Sequence, residues 1–264
     1  MANTRYCTNN RAIGSTIKNG TGGGAPALDQ TSPYTMAQAL TSDLYTPWQT
    51  ASTPAASPSF FDIDLGGNVS IEAAALLGYR PAVAGASSVL SVEILSSTAA
   101  NGYPPTAASA WTSRATFSTV SPAFRHIGTT WVANSARYWR FAFTHLGTLW
   151  SVGKLFIGSL TDLGAIHSPG GIYSPFENRL ETPQPGGAVV LNEVGDPGAD
   201  ITLPWRSVDS TMRSRMITLA SSGPFVLVDA DGNFFEVFVA NGRAMTARQY
   251  TSVFDAEVSL KVMP

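Results

Sequence analysis

Apolar and polar positions alternate over short runs through most of this chain, and the runs are separated by Gly, Pro, Ser and Asn. Val89–Leu95 is the clearest case: Val89, Ser91, Glu93 and Leu95 oppose Leu90, Val92 and Ile94, the two-residue period of a half-buried strand. Ile71–Tyr79 is apolar and lies between Gly66-Gly67 and Pro81; Phe60–Gly66, Trp131-Val132, Tyr138–Phe143 and Leu155–Leu160 add further strand-like runs. Strands of this length divided by turn residues predict an antiparallel sandwich or barrel over residues 36–162.

The pattern changes after residue 163. Ser168-Pro169-Gly170-Gly171 and Thr182-Pro183-Gln184-Pro185-Gly186-Gly187 punctuate the chain, so 163–187 is expected to be a linker. Beyond it, Ala188–Leu191 and Asp200–Trp205 read as strands. Val208, Met212, Met216 and Leu219 then recur at helical spacing, with Ser207 the expected N-cap and Gly223-Pro224 the stop. Phe225–Val228 and Phe234–Val239 flank Asp229-Ala230-Asp231-Gly232-Asn233 as a hairpin, and Val253–Val262 alternates as a final strand. Residues 188–264 are thus expected to be a small α+β domain, one helix on an antiparallel sheet. Residues 1–35, polar and Gly-rich around Asn19–Gly24, are expected to be an ordered lead-in strand with a long loop, or an arm that docks on a neighbour.

Composition narrows the function classes. Hydrophobic residues make up 44% of the 264, enough for real cores, but charged residues only 13%, about half the usual share. Glycine (24) and proline (17) are abundant, so the surface is built from small polar groups and turns. The net charge is −2 without a basic stripe, which argues against nucleic acid as a partner. No apolar run reaches the roughly 18 residues of a membrane span, and the first twenty residues do not read as a signal peptide. Cys7 is the single cysteine, so no intrachain disulfide forms, and without a Cys-x-x-Cys partner it reads as an unreactive thiol.

No catalytic constellation stands out, and the expectation is a non-enzyme without a cofactor. His126, His145 and His167 are far apart in sequence and lack ligand spacing; surface or loop roles are expected for them. Asp229–Asn233 has the carboxylates of a calcium loop but runs straight into Phe234-Phe235, so it reads as a turn. Asp62 and Asp64, at i and i+2 of a strand, share a face and form the one carboxylate pair that acid–base chemistry could use. Tyr34, Tyr45, Tyr103, Trp111 and Trp131 fall in or beside loop-like segments, where aromatic faces stack on sugars, anchor interfaces or fill the sandwich ends. Tyr45, Tyr103 and Trp111 are the candidate ligand-binding residues.

Four short motifs occur in order. Asp43-x-x-Thr46-x-Trp48, Ile63-Asp64-Leu65-Gly66, Ala136-Arg137-Tyr138-Trp139-Arg140 and Leu155-Phe156-Ile157-Gly158 resemble the framework of the discoidin-like (coagulation factor 5/8 type C) family over residues 36–160. The resemblance implies an eight-stranded jelly roll that binds glycans, lipids or proteins through loops at one end. It also implies a structural calcium near the early turn, to which Asp43 and Thr46 are a partial match. Thr41 replaces the acidic residue two before Asp43, and Lys154 replaces the Glu before the closing strand; a cation in a ligand's place argues against the metal.

The C-terminal part, from Ile201-Thr202-Leu203-Pro204-Trp205 through the helix and Gly223-Pro224-Phe225-Val226-Leu227, more loosely resembles small domains of tailed-phage tail and baseplate proteins. That resemblance implies a virion structural component at a tail tip, baseplate or neck. It would be made in the host cytoplasm and localised to the virion, with other virion proteins and copies of itself as partners and a host-surface glycan as a further one. The alternative is a carbohydrate-binding module or lectin without catalytic activity.

Overall fold

The computed structural model describes residues 3–17, 35–42, 46–49, 59–81, 91–98, 108–118, 126–144, 150–163, 172–176, 179–183, 189–193, 198–247 and 254–262. The fold is mainly β, with antiparallel pairing in every register given below and one α-helix among the described residues. The chain divides into two compact units. One holds Asn9–Leu160 together with Gly232–Phe234. The other holds the residues up to Thr8, Thr161–Asp231 and those from Phe235 onward.

The first unit is a sandwich. Its larger sheet runs in the order Lys154–Gly158, Ser59–Leu77, Ile127–Thr144, Ser91–Ser97, Thr112–Ser118, with Thr16–Ile17 also paired to Ser59–Leu77. A three-stranded sheet of Trp48–Gln49, Trp150–Val152 and Arg80–Pro81 completes the unit. The inward face follows the two-residue period: Phe61, Ile63, Val92, Ile94, Trp139, Phe141 and Phe143 are buried in one cluster. Trp48 supplies its centre, edge-on to Phe61 at 5.5 Å and to Trp150 at 4.8 Å.

Two pairs of runs that read as separate strands are continuous. Phe60–Gly66 and Ile71–Tyr79 merge into Ser59–Leu77, and Trp131-Val132 joins Tyr138–Phe143 in Ile127–Thr144. The polar residues between the first pair are a bulge. Asp64 pairs with Tyr138 and Val69 with Ala136, so residues 65–68 face Arg137 alone. Gly66 makes this possible with φ +78°, a conformation that side-chain-bearing residues rarely adopt.

The second unit is built on a seven-stranded sheet in the order Thr161–Asp162, Arg5–Cys7, Phe225–Val228, Phe234–Ala247, Phe254–Val262, Gly198–Val208, Ile172–Phe176. Arg5–Cys7 is antiparallel to both of its neighbours, so the first residues of the chain belong to a sheet otherwise made by its last hundred. The segment expected as a linker, 163–187, contains Ile172–Phe176 in this sheet and Arg179–Pro183 in a two-stranded sheet with Val189–Glu193. The helix spans Ser210–Ser221 and buries Met216 and Leu219. Asp209, not Ser207, caps it: its carboxylate accepts the Met212 N–H at 2.7 Å, while Ser207 and Val208 end the preceding strand. The Phe225–Val228/Phe234 hairpin turns as expected; Asp229 Oδ1 accepts the Asp231 N–H at 2.9 Å.

Candidate functional site

Asp62 directly faces Arg140 across the sheet, and the guanidinium grips it with two bonds, Nε to Oδ1 at 2.6 Å and Nη2 to Oδ2 at 2.8 Å. The same guanidinium lies 4.3 Å from the Phe60 ring centroid and 4.2 Å from that of Trp111. Stacking desolvates the pair, and both side chains are about a tenth exposed. Trp111, expected as a ligand-binding loop aromatic, is buried with its ring over this guanidinium; its position explains how an ion pair tolerates burial. Tyr34, Tyr45 and Tyr103 lie outside the described residues, as does Asp43. Trp131 is half-buried, its ring 5.8 Å from Trp139.

Asp64 is held in the same manner by a different residue. Arg137, the residue facing the bulge, donates Nε to Oδ1 at 2.8 Å and Nη2 to Oδ2 at 2.9 Å. The Gly66 N–H adds a third bond to Oδ1 at 2.8 Å. Hydrogen bonding to Asp64 holds the Arg137 pKa above its ordinary value. Burial first, and then the Asp64 charge, push the Tyr138 phenol up. Asp62 and Asp64 do share a face, but each carboxylate is held through both oxygens by its own arginine fork.

The Asp64–Arg137 pair lines an open cleft of about 460 Å³. One wall is the bulge, with Leu65, Gly66 and Val69; the other is Asn9–Thr16. That second wall is fastened at both ends. Asn10 Nδ2 donates to the Leu155 carbonyl at 2.7 Å, and Asn10 Oδ1 accepts from Ile157 N–H at 3.2 Å. Arg11 N–H donates to the Ile157 carbonyl at 2.9 Å. Thr16 and Ile17 pair with Asp64 and Ile63. Ser59–Leu77 is thus flanked by Thr16–Ile17 near residue 64 and by Lys154–Gly158 from residue 73 onward, and the bulge lies between them. The cleft is lined by the exposed Arg11 and Thr16 and by Arg137, beside apolar surface from Ile13, which is 43% exposed.

Sequence reading singled out Asp64 but not the cleft. Arg137 entered only as part of a family motif, and Asn9–Thr16 as part of a polar lead-in. The Gly66-Gly67 doublet was the signal that could have located the bulge.

Among the described residues no group of three or more His, Cys, Asp and Glu side chains could hold a metal. Thr46 is exposed, while Lys154 is buried at the start of its strand, paired with Leu77. His126 departs from the expected surface role: it is buried, and its Nδ1 accepts the Gly78 N–H at 3.1 Å. His145 and His167 lie outside the described residues.

No family model matches the chain, and no curated protein matches it. Among solved structures the chain is similar to chitosan-binding module 1 of a chitosanase/glucanase from Paenibacillus sp. IK-5, at 18% identity and a TM-score of 0.42, over 57% of this chain and 99% of that one. It is also similar to CBM32-3 of a family 31 glycoside hydrolase from Clostridium perfringens (18%, TM-score 0.40, 52% and 90%). A third is the lectin domain of lectinolysin, solved with Lewis B antigen (15%, TM-score 0.41, 58% and 98%).

Proposed function

We propose that the sandwich unit is a non-catalytic saccharide-binding module and that the cleft beside Asp64 and Arg137 is its ligand site. The observation that carries this reading is the composition of the cleft: a planar, pre-formed ion pair in its lining with polar side chains around it and exposed aliphatic surface at the rim. Vicinal hydroxyls of a sugar suit the Arg137 guanidinium, which Asp64 holds in place through Nε and Nη2 and whose Nη1 is not given to Asp64. Aliphatic C–H faces of the same ring suit Ile13, Leu65 and Val69. At about 460 Å³ the cleft falls in the range of small-ligand sites, roughly 300–1,000 Å³. Its walls are fixed by backbone pairing, so little ordering is needed on binding.

Equilibrium titration of the full chain with a panel of oligosaccharides tests this. Binding should be reversible and leave the sugar chemically unchanged. Arg137→Ala should weaken it at least about tenfold, the worth of a charged hydrogen bond. Absence of binding across the panel, or full affinity in a folded Arg137→Ala protein, contradicts the reading.

A role in a tailed-phage virion rests on the sparse charge and on the sequence resemblance of the C-terminal part. It concerns the second unit and is compatible with a sugar-binding first unit. Immunogold labelling of particles from a source lysate distinguishes a virion component from a free protein.

A further inference from the structure

The charge of the cleft says more about its ligand. Among the described residues, three of those that line it are ionisable: Arg11, Asp64 and Arg137. Asp64 and Arg137 cancel, and their fork uses Nε and Nη2, which leaves the Nη1 hydrogens of Arg137 uncommitted to Asp64. Arg11 is exposed, is anchored through its backbone to Ile157, and makes no ion pair among the described residues. The described lining therefore carries one positive charge in excess, in a chain whose net charge is −2.

An exposed guanidinium in the same lining as a second whose Nη1 is not given to Asp64 matches a carboxylate, which guanidinium forks bind in two-point fashion. We propose, resting on the saccharide reading above, that the cleft selects a carboxylate-bearing sugar, with Arg11 as the selecting residue. Hydroxyls of the ring engage Arg137, which Asp64 positions, and the sugar carboxylate is drawn to Arg11. The site is open to solvent, so the attraction is screened by salt over roughly 10 Å at 0.1 M. Its effect is a preference among saccharides that bind in any case.

The test compares a uronate trisaccharide with its neutral counterpart on the full chain, by calorimetry at low and high salt. The uronate should bind about tenfold more tightly at low salt, and the ratio should shrink several-fold at 0.5 M salt. Arg11→Gln should bring the ratio close to one, while Arg11→Lys, which keeps the charge but not the fork, should keep only its salt-sensitive part; the exposed side chain makes both variants compatible with folding. Neutral binding with an equal or weaker uronate affinity overturns the selection by Arg11 and leaves the saccharide reading standing. Binding of neither sugar overturns both. A preference that survives Arg11→Gln assigns selection to another residue and overturns this inference alone.

Discussion

At the scale of single residues, the sandwich depends on two buried or half-buried ion pairs whose partners cannot be separated cheaply. Asp62→Ala leaves the Arg140 guanidinium between two aromatic rings without its counter-charge. We expect a loss of about 2–4 kcal/mol in denaturant unfolding. Replacing both partners by Leu and Met should recover much of that loss, because the desolvation of two charges goes with them. Tyr138 is the opposite case. Its hydroxyl is buried with no hydrogen-bond partner among the described residues, and its pKa is raised by burial. A raised pKa keeps the folded protein protonated where the unfolded chain ionises. The associated stability is therefore complete below about pH 10 and lost as pH rises further. Tyr138→Phe should leave neutral-pH stability unchanged or up to about 1 kcal/mol higher. It should also flatten the alkaline decline seen in thermal melts between pH 9 and 11. A steeper decline in the variant contradicts the assignment.

At the scale of elements, the two long central strands carry the packing limits. Gly128 in Ile127–Thr144 would place a Cβ 2.6 Å from the Ala74 carbonyl oxygen and 2.6 Å from the Ala75 Cβ. Neither neighbour is a flexible chain end, so Gly128→Ala should cost about 1–3 kcal/mol, read as a lower unfolding midpoint. In the helix, Asp209→Ala removes the cap on Met212 N–H and should cost about 1 kcal/mol of the second unit's stability. Much of this architecture was legible in the sequence. Val92 and Ile94 point inward and Ser91 and Glu93 outward because one face of a sheet must be dry, and the alternation records it. Met216 and Leu219 of the helix stripe are buried for a like reason, although Val208 ends the preceding strand, and the hairpin was legible from the turn residues Asp229–Asn233. The Asp209 cap was missed because the strand before it runs on through Val208, which period alone does not reveal. The bulge was missed because polar residues within a strand and polar residues between strands have the same local composition. Trp111 was read as a loop aromatic because the sequence does not show which cation will cover it.

At the scale of the whole molecule, the chain's beginning and end are interleaved. Arg5–Cys7 lies between Thr161–Asp162 and Phe225–Val228 in the seven-stranded sheet, with Tyr6 edge-on to Phe225 at 6.3 Å. A protein starting at Asn9 would leave the backbone edge of Phe225–Val228 unpaired. Its second unit should melt at a lower temperature than in the full chain, while the sandwich unit keeps its own transition. Identical melting of both units would contradict a structural role for the first strand. A lead-in strand was one of the two readings of the start of the chain, but not its partner sheet, because strand pairing across more than two hundred residues leaves no local trace.

The cleft unites these scales: one ion pair, one bulge and one stapled segment produce the surface on which the functional reading rests. The most direct measurement is residue-resolved NMR titration of the full chain with the tightest-binding saccharide of the panel. Amide shifts should concentrate at Asn9–Thr16, at Leu65–Gly66 and at Arg137, together with a change at the Arg137 side-chain Nε. Saturable shifts confined to a different surface, or no shifts at millimolar saccharide, would contradict the functional reading.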